Sequence, residues 1–238
     1  MTKENFIVDD RYKNPEPVPP ATQLAIMPFL AAIEASLSCG TEVADLRVTV
    51  HRVMSREGSG YLQQAAAYLP INQADWRNRV GRIFRVDEGI IGAAYEDGQI
   101  WRTKTFASVE QLRPELRKAM DKVGDTRTVE EVAISYLAMP CLGPGNEVVL
   151  ILYADCNQLN FFADDSRVQQ VASMCNGFCR LFDWLQRGPF PNLRNFPLQP
   201  GQPVTGKKTV YPGIHEHTTI SAPKFEEVVS FNYEASVA

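Results

Sequence analysis

Two apolar runs joined by a turn constrain this chain more than any other feature of it. Residues 134–142 read ISYLAMPCL and residues 147–156 read EVVLILYADC, with the turn GPGN between them. Neither run alternates apolar with polar residues, the pattern of a strand with one face in water. Both therefore read as central strands of a hairpin covered on both faces.

Helices flank the strand-forming part of the chain. In TQLAIMPFLAAIEASLSCG, apolar residues fall at 29, 33 and 37, and Gly40 stands where a helix-terminating glycine belongs. A helix is expected from about 28 to 39, with a turn of helix before it, because a proline inside a longer helix costs about 3 kcal/mol. Strand-like runs follow. ADLRVTVHRVM sets Leu46, Val48 and Val50 on one face and Arg47, Thr49 and His51 on the other. REGSG turns the chain into YLQQAAAYLP, and RIFRVD and QIWRTKTF supply two more runs. SVEQLRPELRKAMDKVG carries a Leu112, Leu116, Met120 stripe, with Ser108 and Gln111 at capping-box spacing and Pro114 dividing the segment. Asp164 and Asp165 can cap a last helix reaching Arg187, whose apolar residues include Val168, Val171, Cys175, Phe178, Phe182 and Leu185. Gly188-Pro189 ends it.

Residues 1–20 form a polar, proline-rich arm, 21–188 the folded domain and 189–238 a proline-rich, extended tail. Phe225, Phe231 and Tyr233 are the parts of the tail suited to docking on the body or on a partner. The net charge of -4, without a basic stripe, argues against nucleic acid as a partner. No stretch approaches the ~18 apolar residues that cross a bilayer. The N-terminus lacks the apolar run of a signal peptide, and the 5 cysteines are odd in number. Reduced thiols in a cytoplasmic protein are expected.

The stretch DEGIIGAAYEDGQIWRT, the paired runs SYLAMPCL-GPGN-EVVLILYAD and the step FFADD before the last helix together resemble a GAF domain. The resemblance covers roughly residues 21–187 and rests heavily on the order of elements. It implies an α+β fold with a central antiparallel sheet of about six strands. The N- and C-terminal helices would pack together on one face, and small helices would border a ligand pocket on the other. It also implies a stand-alone sensory or regulatory role rather than an enzyme, with no cofactor. Output would pass to a protein partner through the tail, and the terminal helices would form a homodimer. The NKFDE signature of cyclic-nucleotide-binding members is echoed only by Asn157, Phe161 and Asp165.

Candidate chemistry is sparse. Gly89 and Gly92 lack the third glycine spacing of a dinucleotide fingerprint; they suit a tight turn and a short helix lying close to the sheet. Gly98 suits the left-handed residue that ends that helix. Cys175 and Cys179 share a helical face, but the other ligands of a metal site are missing nearby in sequence, so a core role is expected. His215 and His217 read as a solvated pair in the tail. A thiol enzyme using Cys141 or Cys156, and a ligand-free adaptor presenting the tail, are the alternatives. By analogy with GAF domains, a pocket would lie between the sheet, the 89–97 helix and a lid at 108–123. Arg85, Tyr95, Trp101, Thr103 and Tyr136 are its candidate ligand-binding residues, combining aromatic surface with hydrogen-bonding groups.

Overall fold

The computed structural model describes residues 18, 20–40, 42–56, 59–70, 80–87, 89–122, 125, 127–187, 198–202 and 211–226. The arm up to residue 17, Gly188-Pro189, Phe231 and Tyr233 lie outside the described residues. The fold is α+β. Its helices are α1 (Pro20–Ser38), α2 (Gly89–Asp97), α3 (Val109–Lys122) and α4 (Asp165–Arg187). Its strands are β1 (Arg47–Arg56), β2 (Ser59–Gln64), β3 (Ile83–Arg85), β4 (Trp101–Thr103), β5 (Ser135–Leu142), β6 (Val148–Cys156) and β7 (His215–His217).

The strands make one open sheet in the order β3-β2-β1-β6-β5-β4-β7, and each neighbouring pair is antiparallel. The β5–β6 hairpin occupies the middle, and nearly all of its residues are buried. β1 pairs along β6 from Arg47 opposite Asp155 to Arg52 opposite Leu150. Side chains alternate across the sheet. Val48, Val50, Met139, Cys141, Leu150 and Leu152 enter the large core beneath α1 and α4. Val53, Leu62, Ala138 and Ile151 face the opposite way, beneath α2.

The terminal helices lie antiparallel to each other. Gln170 Nε2 donates to Ser36 Oγ at 2.7 Å, and Phe29 stacks on Phe178 with ring centroids 4.4 Å apart. α1 begins eight residues before the expected start and carries Pro28 inside it. Pro28 is exposed, while Ile26, Leu30, Ile33 and Leu37 on the other side of the helix are at most 4% exposed. Burial of such side chains at roughly 1.5–3 kcal/mol each outweighs the proline penalty. α3 likewise keeps Pro114 inside it and buries Leu112, Leu116 and Met120. The N-terminus of α4 is capped as the sequence predicts: Asp164 Oδ1 accepts from the Ser166 N–H at 2.9 Å.

α2 is the short helix promised by its glycines, but the close contact is with the preceding loop. A Cβ on Gly92 would stand 3.1 Å from the Val86 carbonyl oxygen, so this position must be small. Gly98, at φ +66, ends the helix and donates its N–H to the Ala94 carbonyl at 3.1 Å.

The seventh strand comes from the segment expected to be tail. β7 pairs with β4, Thr103 opposite His215 and Trp101 opposite His217. The histidines are therefore not a solvated pair. His215 stands edge-on to Tyr136 at 6.0 Å, and burial lowers its pKa to about 4; His217 stays exposed beside Trp101. Nothing in HEH encodes this placement. Strand β4 supplies an edge with unpaired N–H and C=O groups, and apolar residues on either side anchor the segment. Ile214 is buried against α3. Phe225, 0% exposed, enters the main core beside Phe178 and Phe182. Leu198 enters the same core.

Candidate functional site

The five side chains expected to line a pocket each find a partner within the chain. Arg85, exposed on β3, holds Asp87 through two hydrogen bonds of 2.9 and 2.8 Å. That contact keeps the Asp87 carboxyl below its ordinary pKa. The Tyr95 hydroxyl on α2 donates to the Gln202 carbonyl at 2.8 Å. Gly201 lies so close to the ring that a Cβ there would come within 2.8 Å of it. Trp101 Nε1 donates to the Asp97 carboxylate at 3.0 Å. Thr103 Oγ1 accepts the Tyr136 N–H at 2.8 Å, and the Tyr136 hydroxyl donates to the Ala133 carbonyl. Burial and the nearby Asp155 push the Tyr136 phenol up.

Tyr95, Trp101 and Tyr136 do come together, in the apolar cluster beneath α2. They pack against the second face of the sheet. Thr103 joins them through its bond with the Tyr136 N–H, and Arg85 of β3 pairs with Asp87. The expected lid, α3, packs on Val132 and Ile214.

The polar site that sequence reasoning missed lies at the β1–β2 pair. His51 stands opposite Gln64, and Arg52 opposite Gln63. These four polar residues are at most 1% exposed. Alternation sends His51 and Gln64 to the second face, and Arg52 and Gln63 to the first. Buried polar groups are ordinarily hydrogen-bonded. Yet neither His51 ring nitrogen makes a well-formed hydrogen bond, with the Ile151 backbone as a polar neighbour, and Gln64 Oε1 is buried without a hydrogen-bond partner. Gln64 Nε2 is occupied, donating to the Ala66 carbonyl at 2.8 Å.

The His51 ring meets Phe84 edge-on at 4.8 Å and Tyr153 at 6.0 Å. Burial, aided by the positive charge of Arg82, lowers its pKa to about 3. At neutral pH it is an uncharged imidazole with one N–H to donate and one lone pair to accept. Beyond Tyr153 the surroundings turn ionic. Tyr153 donates its hydroxyl to Asp155 Oδ2 at 2.8 Å, and Arg47 binds both oxygens of Asp155 at 2.8 and 2.7 Å. The Arg47 guanidinium also lies over the Tyr68 ring at 5.3 Å. Unsatisfied donor and acceptor groups beside the Phe84 and Tyr153 rings match the chemistry of a small, uncharged, flat molecule.

Only the alternation at 47, 49 and 51 marked these residues, and alternating polar residues ordinarily signal a wetted face. The cysteines take a different place. Cys156 is 0% exposed, and burial pushes its thiol up to about 12. Cys141, 2% exposed on β5, meets Cys175 and Cys179 of α4. Hydrogen bonding from those two thiols lowers Cys141, whereas burial raises Cys175. All three sit in the main core. Among the described residues no group of three or more His, Cys, Asp or Glu has an arrangement able to hold a metal ion. None of the described helices is long and apolar enough to cross a membrane. No protein-family model matches the chain, and no curated protein matches it.

Proposed function

We propose that this is a GAF-like, non-enzymatic regulatory domain that holds a small uncharged ligand on the second face of its sheet. The ligand's seat is centred on His51 and Gln64, not on the five residues nominated from sequence. The observation that carries this reading is the trio of buried atoms without a well-formed hydrogen bond, His51 Nδ1 and Nε2 and Gln64 Oε1. Leaving such atoms unsatisfied costs roughly 1–3 kcal/mol each, and a ligand offering a donor beside an acceptor removes that cost. The resemblance of the sequence and the antiparallel sheet with helices on both faces support the same reading. Binding is favoured over thiol catalysis because Cys141 and Cys156 are sealed in the core.

Output then passes to a protein partner or between two copies of the chain. Leu24 on α1 and Leu181 on α4 are 74% and 54% exposed, which suits pairing through the terminal helices. The test compares protein as purified with protein unfolded in guanidinium, freed of small molecules and refolded. The refolded wild type should melt at a lower temperature, and a His51→Leu/Gln64→Leu double variant should show no difference between the two preparations. Identical melting of both wild-type preparations would sink the reading.

A further inference from the structure

Arg52 is the largest fully buried side chain among the described residues, at 0% exposure. Its Nε and Nη2 both donate to Gln63 Oε1, at 2.9 and 2.6 Å. Its Nη1 is buried and has no hydrogen-bond partner. Two arginines that are only partly buried are matched by carboxylates. Arg47 holds Asp155 at 2.7 Å, and Arg102 holds Asp165 at 2.5 Å and Glu216 at 3.2 Å. Arg52 has only an amide oxygen, which answers its hydrogen bonds but not its charge.

A guanidinium cannot shed its proton to escape burial, and a buried charge without a counter-charge costs far more than an unpaired dipole. The Gln63 amide fixes the guanidinium plane by taking two of its N–H groups, so the Nη1 edge is held in one direction. That edge matches an oxygen of a carboxylate or a phosphate. Chain direction adds a second buried group. α1 runs antiparallel to α4, as the Gln170–Ser36 and Phe29–Phe178 contacts require. α1 packs directly on β1, and the short connection from Ser38 to Arg47 brings the end of α1 beside the start of β1. The first turn of α1 is thereby directed toward the end of β1 that follows Arg52. Thr22 in that turn is 2% exposed, and its Oγ1 is also unpartnered. The helix N-terminus adds N–H groups and the positive end of its dipole.

We infer that Arg52 is the anchor of an oxyanion-binding site on the first face of the sheet, between β1 and the N-terminal turn of α1. Its ligand class is a small molecule bearing a carboxylate or a phosphate group. The site is independent of the His51 seat, which lies on the opposite face.

The experiment titrates full-length protein with inorganic phosphate and, separately, with acetate, at constant ionic strength set by chloride. The ¹H–¹⁵N resonance of Arg52 Nε is followed, assigned by its loss in Arg52→Lys. Arg113→Met, which alters an exposed arginine, controls for general charge effects. A saturable shift of the Arg52 resonance, retained in Arg113→Met, is expected, and anion binding reported by another resonance should be at least tenfold weaker in Arg52→Met. Response to phosphate alone assigns a phosphate-bearing ligand, and response to acetate alone a carboxylate. An Arg52 resonance unmoved by either anion overturns the inference, and so does a shift of equal midpoint in wild type and Arg52→Met when another resonance reports it. Should Arg52→Met fail to fold, the wild-type titration still decides.

Discussion

Arg102 of β4 binds Glu216 of β7, Nε to Oε1 at 3.2 Å, and ties a late segment of the chain into the sheet. The same guanidinium reaches the Ala163 carbonyl at 3.0 Å and Asp165 at 2.5 Å, at the start of α4. One side chain thus joins the sheet edge, the final strand and the cap of the longest described helix.

Replacing Arg102 with Met should remove all of these bonds while preserving much of the packing. A loss of about 2 kcal/mol is expected, since a partly buried carbonyl and two carboxylates lose their partner. Hydrogen exchange should quicken in 214–218 before it quickens in β5 and β6. Uniform exchange across the sheet would contradict this placement of Arg102.

Phe225 tests whether the late segment belongs to the folded body. Phe225→Ala removes a 0% exposed ring from the main core and should cost about 3–5 kcal/mol. A chain ending at residue 210 should lose β7 as well and melt lower still. A truncated chain as stable as the full one would show that the contacts of Phe225 and Ile214 contribute nothing.

Much of this architecture was legible in the sequence, and the failures have identifiable causes. The β5–β6 hairpin showed itself because both arms are apolar throughout. The α4 stripe and its Asp164 cap showed themselves because helical spacing and capping are local signals. Pro28 hid the true start of α1 because only the packed structure reveals that this position faces solvent. The strand at His215–His217 was invisible because its partner β4 lies more than a hundred residues earlier, and three polar residues carry no period. The partners of the candidate pocket residues were hidden for the same reason. Aromatic and polar residue types were read correctly, but Tyr95 is satisfied by Gln202, across 107 positions. His51 and Gln64 were passed over because polar residues in alternation imitate a solvated face.

Acid should destabilise the protein in a window set by His51 and His215. His51 has a folded pKa near 3, below its ordinary value of 6.5. Below pH 6.5 the unfolded chain therefore takes up a proton that the folded one refuses, and stability falls as pH drops toward 3. At pH 5 the loss from this one group is about 2 kcal/mol. His215, lowered to about 4, acts in the same direction. Denaturant melts at pH 7 and pH 5 should show the loss in wild type and a smaller one in His51→Leu. Equal losses in both would contradict a buried neutral His51.

Thiol labelling tests the core positions of the cysteines. Cys39 is exposed, and Cys141, Cys156, Cys175 and Cys179 are buried and free. A disulfide-exchange reagent should modify one thiol rapidly in native protein and the other four only in denaturant. Rapid native reaction at Cys141 would bring back the thiol-enzyme reading.

The central claim is that a small uncharged molecule occupies the second face beside His51 and Gln64. Native mass spectrometry of the purified full-length protein, followed by denaturing extraction, tests it most directly. The account predicts a mass above that of the bare chain, an extractable neutral compound, and loss of both in His51→Leu/Gln64→Leu. A wild-type mass equal to that of the bare chain, or an adduct that survives the double substitution, would contradict it.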